Sequence, residues 1–141
     1  MTLQINSIEQ LFKGVGVAAI PGEKLQVMVG DTVRVRATIA YRGPAISDTF
    51  YGAIGTRGFV GFDEIITGLA PISFYQSHDW LTYELVVDIP VTAAISPGTN
   101  YDLYVKLLGH PEVGMPQVDD VIDILGIAEF RNFAIVSYEK L

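Results

Sequence analysis

The sequence predicts an all-β protein, a single antiparallel β-sandwich of about 7–9 strands. Three observations predict it. Thr32 to Tyr41 alternates without a break, with Val33, Val35, Ala37, Ile39 and Tyr41 on one face and Arg34, Arg36 and Thr38 on the other. Turn signals built on Gly, Pro and Asp recur about every ten residues. No segment carries a convincing long helical repeat.

Residues 1–23 are expected to form an N-terminal strand or extension. Leu3 and Ile5 have strand spacing, whereas Ile8, Leu11 and Phe12 have helical spacing, so both forms stay open there. Gly14, Gly16 and the Pro21-Gly22 pair work against helix beyond Lys13. Leu25, Val27 and Val29 then alternate with Gln26 and Met28 up to a Gly30-Asp31 turn, and Arg42-Gly43-Pro44 closes the Thr32–Tyr41 strand.

Thr49–Ile54 and Phe59–Ile66 are expected as a hairpin joined by Gly55-Thr56-Arg57-Gly58. Gly52, Gly55, Gly58 and Gly61 recur at every third position, yet they lack the proline of a triple helix and the Gly-Lys-Ser/Thr of a phosphate loop. Their expected role is to admit close neighbours. Leu69–His78 looks irregular, with Phe74-Tyr75 covering an edge of the core. Trp80–Ile89 is a strand whose Tyr83, Leu85, Val87 and Ile89 share a face, and Pro90 stops it.

Pro97-Gly98 then turns into a strand with Tyr101, Leu103, Val105 and Leu107 on one face and Asp102, Tyr104 and Lys106 on the other. Gly109–Gln117, with two prolines, is a surface loop. Val118, Val121, Ile122 and Leu125 fit a short amphipathic helix, but the β-branched content favours strand. Residues 128–141 are expected as a C-terminal strand. Phe130, Ala134, Val136 and Tyr138 fall on one face and Phe133 and Ile135 on the other. A strand apolar on both faces is either central and covered or part of a subunit interface.

The run Pro97-Gly98-Thr99-Asn100-Tyr101-Asp102-Leu103-Tyr104-Val105 resembles the tyrosine-corner entry into strand F of immunoglobulin-like and fibronectin type III-like domains. Gly30-Asp31-Thr32-Val33-Arg34-Val35 resembles an early strand of adhesion-type domains in that superfamily. The resemblance spans residues 24 to 138 loosely and implies an Ig-like fold without the antibody cysteine pair. It also implies that the Tyr101 hydroxyl bonds an upstream backbone group. It carries a fold and no activity.

At 141 residues the chain fits one domain, 1–141. Half its residues are apolar and 18% are charged, against about 25% in ordinary domains. So apolar a chain is expected to leave apolar surface free for a partner. The net charge of −7 and the dispersed basic residues argue against nucleic acid. With no cysteine, neither disulfides nor thiolate chemistry is available. The first twenty residues lack the pattern of a signal peptide, and no apolar run approaches the ~20 residues of a membrane helix. The expectation is a soluble chain of open location, in a virion or extracellular assembly among other places.

Candidate chemistry is thin. Ser77-His78-Asp79 holds the residue types of a hydrolase triad, but triads assemble from separate segments. His110 sits in a loop, and two histidines without cysteine make a poor zinc set. Asp119, Asp120 and Asp123, with Glu112, are weak calcium candidates because their spacing matches no EF-hand. Asp63-Glu64 would need a second carboxylate opposite it to act as an acid pair. Aromatics are the remaining lead. Tyr75, Trp80, Tyr104 and Phe133 are the ligand or interface candidates, and Tyr101 the structural corner.

The expectation is therefore a structural or assembly module, not an enzyme and with no cofactor. It self-associates or docks on a protein partner in a virion, tail, filament or cell-surface assembly. A carbohydrate- or small-ligand-binding module is the alternative.

Overall fold

The computed structural model describes residues 3–12, 15–18, 24–58 and 61–141. Among them nine strands and one 3₁₀ turn follow in order: β1 (Gln4–Phe12), β2 (Val15–Ala18), β3 (Leu25–Val27), β4 (Thr32–Gly43), β5 (Ile46–Gly58), β6 (Gly61–Phe74), β7 (Ser77–Pro90), β8 (Gly98–Leu107), the turn at Pro111–Val113, and β9 (Gln117–Ile124). The first sheet runs β2-β1-β4-β7 and the second β3-β9-β8-β5-β6. The protein is all-β, as expected. The second sheet is mixed, however, because β3 pairs parallel with β9 while its other strand pairs are antiparallel. A wholly antiparallel architecture is corrected on that point.

Alternation places the core. On β4, Val33, Val35, Ala37 and Ile39 are buried; on β7, Leu85, Val87 and Ile89 are; on β8, Tyr101, Leu103, Val105 and Leu107 are. These residues join Leu25, Val27, Phe50, Ile54, Ile122 and Ile124 in one cluster between the two sheets. The outward face of β4 is held by charge. Arg34 makes a two-pronged bond to Asp88 at 2.8 and 3.0 Å, and Arg36 bridges Glu9 and Glu84 across three strands. The Arg34 bond, outweighing partial burial, holds the Asp88 carboxyl below its ordinary range.

Several boundaries move. Gly55–Gly58 lies inside β5 rather than in a turn, and Leu69–Phe74, expected to be irregular, continues β6. Phe59 and Val60 of the expected second strand, and the Pro21-Gly22 turn, lie outside the described residues. The chain changes sheets between β4 and β5 and again between β6 and β7: β4 and β7 pair with each other, as do β5 and β6. The crossing needs bare backbone. A Cβ on Gly68 would lie 2.1 Å from the Asp88 carbonyl oxygen, and one on Gly52 would lie 3.0 Å from Ile89 and Val87.

The β8–β9 pair is broken twice, and each break is closed by a carboxylate. Asn100 and Asp120 hold positive φ, 63° and 53°. The freed Asn100 N–H donates to Asp123 at 3.0 Å, and the Asp120 N–H donates to the buried Asp102 at 2.8 Å. Buried Asp31 likewise closes the β3–β4 turn, accepting from Met28 N–H at 3.0 Å.

The expected strand at 128–141 is not formed. Residues 125–141 follow β9 as an irregular segment exposed at every position, with no strand partner among the described residues. Of the two places expected for a strand apolar on both faces, a central covered position is excluded, because both sheets are built without these residues.

Candidate interaction surface

After Leu125, whose N–H donates to the Val27 carbonyl at 2.8 Å, the chain leaves the body. At Gly126 the backbone is still near Pro97, since a Cβ there would lie 3.6 Å from its ring. Beyond it Ile127, Phe130, Phe133, Ile135, Val136, Tyr138 and Leu141 are all exposed, with Phe133 at 104%. Water disfavours that display. Burying one such side chain is worth about 1.5–3 kcal/mol, so the segment has a strong drive toward any apolar surface that fits it.

A second apolar display sits at the corner between β6 and β7. Tyr75 is 71% exposed and Trp80 52%. Every residue from His78 to Thr82 is exposed, on the strand that forms one edge of its sheet. The β4–β7 register slips there, between Tyr41 and Gly43, so that Ser77 faces Gly43 and Leu81 faces Tyr41. Such a bulge re-aims side chains and blunts an edge. The Arg42 guanidinium lies 4.5 Å from the Trp80 ring centroid. Beneath the corner Tyr41, Phe74 and Tyr83 stack, with ring centroids 4.8 and 4.9 Å apart. Two hydroxyls lock them: Tyr41 donates to the Pro44 carbonyl at 2.7 Å, and Tyr83 accepts from Tyr75 N–H at 2.9 Å. Leu81 belongs to this patch and was not singled out in the sequence, where parity sets it on the face of Tyr83, Leu85 and Val87; in the fold it is exposed.

Of the other candidates, Tyr104 is corrected. It lies on the outer face of β8 as expected but is 1% exposed, covered by Phe62 and Tyr51 at centroid distances of 4.6 and 6.1 Å. Sequence parity shows which face a residue takes and cannot show that neighbours fold over it. Tyr51 donates to Glu64, and burial first, then that bond, pushes its hydroxyl up to about 12. Tyr101 donates its hydroxyl to the Ser96 carbonyl at 2.7 Å.

Two carboxylates of the acidic group already have partners. Asp119 pairs with Arg57 at 2.8 Å, and Asp123 takes the Asn100 N–H and lies 3.6 Å from Lys24. Among the described residues no cluster of three or more His, Asp or Glu side chains is arranged to hold a metal ion. Ser77 bonds only its own turn, at Asp79. His110 is engaged elsewhere, with Nδ1 2.5 Å from Asp48, which also accepts the Gly109 and Thr49 N–H groups. Burial alone would push the Asp48 carboxyl up; these three bonds outweigh it and hold it below its ordinary value, while the Asp48 bond raises His110. The surface is thus apolar and aromatic at two separated places and chemically quiet between them. No protein-family model matches the chain, and no curated protein does.

Proposed function

We propose that this protein is a non-catalytic assembly module that uses the exposed segment 126–141 to self-associate or dock on a protein partner. The observation that carries the reading is the segment itself: seven large apolar side chains held out of a finished core. The accessible area agrees with it. At 15.4 kDa a compact monomer exposes about 7,200 Å², whereas this chain exposes 9434 Å². Surface in such excess, rich in aromatics, is the material of interfaces.

The fold we assign within this reading is an immunoglobulin-like sandwich. The order β1-β4-β7 facing β9-β8-β5-β6 corresponds to strands A, B and E opposite G, F, C and C′. The Tyr101 bond to Ser96, five residues upstream and at the entry to β8, supports the corner of strand F. Such sandwiches serve many functions, so this assignment adds a scaffold and no activity. The carbohydrate alternative rests on Trp80 and Tyr75 and is weaker, because Arg42 already covers one face of the indole.

Light scattering tests the assembly reading. The mass of the full chain is expected to rise with concentration, and Phe130→Ser/Phe133→Ser to hold it at the monomer. A wild-type chain that stays monomeric throughout and retains no partner would overturn it.

A further inference from the structure

The exposed segment and the aromatic corner occupy opposite ends of the molecule. In the second sheet Ile124 faces Gly98, beyond the Gly55–Asp102 pair, and the segment starts there. Tyr75 follows Phe74, which faces Ile46 at the other end of β5. A contact between two unlike patches is heterologous, and it propagates into rings or filaments where a two-fold contact would close.

We infer that segment 126–141 of one copy docks on the corner formed by Tyr75, Trp80 and Leu81 of the next copy, building a head-to-tail assembly. The inference rests on the assembly reading and names the partner and its surface. Size fits first. Phe130, Phe133 and Tyr138 bring about 150–250 Å² each. With their aliphatic neighbours this is on the order of the ~800 Å² per partner of a stable interface.

Charge fits next. Glu129 and Glu139 are balanced by Arg131 and Lys140, so the segment is neutral and the net −7 resides in residues 1–125. A neutral apolar segment approaches another acidic copy without the repulsion an acidic one would meet, and it gives no preference for a basic partner.

The corner completes the match. Trp80, with Arg42 across its ring, and Tyr75 are the residue types that concentrate binding energy at interface centres. His78–Thr82 is exposed at every position on an edge strand, so both of its faces are open to a docking chain. Leu81 supplies apolar surface on the side that faces the core further along β7. The bulge there favours side-chain seating over simple extension of the sheet.

Extended, the segment spans about 55 Å, and β7 about 46 Å. Its own corner is therefore within reach, and docking within one molecule is the competing outcome.

Two full-length double variants separate these possibilities by sedimentation velocity. A segment variant, Phe130→Asp/Phe133→Asp, keeps the corner. A corner variant, Tyr75→Ser/Trp80→Ala, keeps the segment, and all four positions are exposed, so the folds are expected to survive. Head-to-tail docking predicts a wild-type mass that grows past the dimer with concentration. Each variant alone associates at least about tenfold more weakly. Their equimolar mixture forms a 1:1 heterodimer, which also shows that both variants fold. If the corner variant assembles as well as wild type, the corner is not the acceptor, although the assembly reading stands. A wild-type mass that stops at the dimer, or a mixture that stays monomeric, overturns the head-to-tail inference. A wild-type chain monomeric at every concentration, whether or not the segment docks within its own molecule, overturns the head-to-tail inference and the self-association half of the assembly reading, leaving only docking on a different partner.

Discussion

The Tyr101 hydroxyl and the Asp48–His110 pair are single contacts whose removal has a calculable sign. Tyr101→Phe loses the bond to Ser96 and leaves its carbonyl to water or unpaired. We expect a loss of about 1 kcal/mol, a drop of about 3 °C in the thermal midpoint; an unchanged midpoint would detach Tyr101 from the corner. Asp48 holds the loop after β8 through the Gly109 N–H and His110. His110 is raised above its ordinary 6.5, so its contribution is whole below that pH and is lost as pH rises through the raised value. Asp48 is lowered below 3.8, so its contribution is whole above that pH and is lost as pH falls through the lowered value. The pair is thus strongest between those two limits. The midpoint difference between wild type and His110→Ala should be widest near about pH 5.5 and shrink by about pH 9. A difference flat across that range would deny His110 its charge in the fold. The identity of the partner was not legible in the sequence, since Asp48 and His110 lie 62 residues apart.

At the scale of elements, the strand pairs with strict alternation were legible and the connections between them were not. The β4 residues Val33 to Ile39 announce their buried face because one side of a half-buried sheet meets water. β6 was cut short in the reading because Pro71 looked like a stop, yet Pro71 pairs with Thr49 on an edge strand, where a missing donor is tolerated. The glycines at three-residue spacing were expected to admit neighbours, and Gly68, outside that series, turns out to be the tightest crossing point between sheets. Gly68→Ala would drive its methyl into the Asp88 carbonyl, 2.1 Å away. We expect it to destabilise by about 1–3 kcal/mol or more, measured by denaturant unfolding. Gly61→Ala meets no atom within 4 Å, although its φ of 140° adds backbone strain. If the two cost the same, β6 and β7 do not cross at Gly68. The 125–141 segment shows the limit from the other side. Its pattern said that both faces are apolar, and the alternation alone could not say whether they would be covered within the chain or left exposed, as they are.

For the whole molecule, the account joins a finished two-sheet core to an apolar segment that the core does not use. The candidate surface was half legible: Trp80, Tyr75 and Phe133 were singled out by type and place, whereas Leu81 emerges only from the exposure of the start of β7 and Tyr104 sinks beneath Phe62 and Tyr51. Amide hydrogen exchange across 126–141 at increasing protein concentration is the most direct test. Amides in an undocked, exposed segment exchange at the rate of a free peptide. The account predicts that rate in dilute solution and progressive protection as concentration rises, together with protection around Tyr75 to Thr82. Free-peptide exchange from residue 126 onward at every concentration, with no partner added, would contradict self-association through this segment.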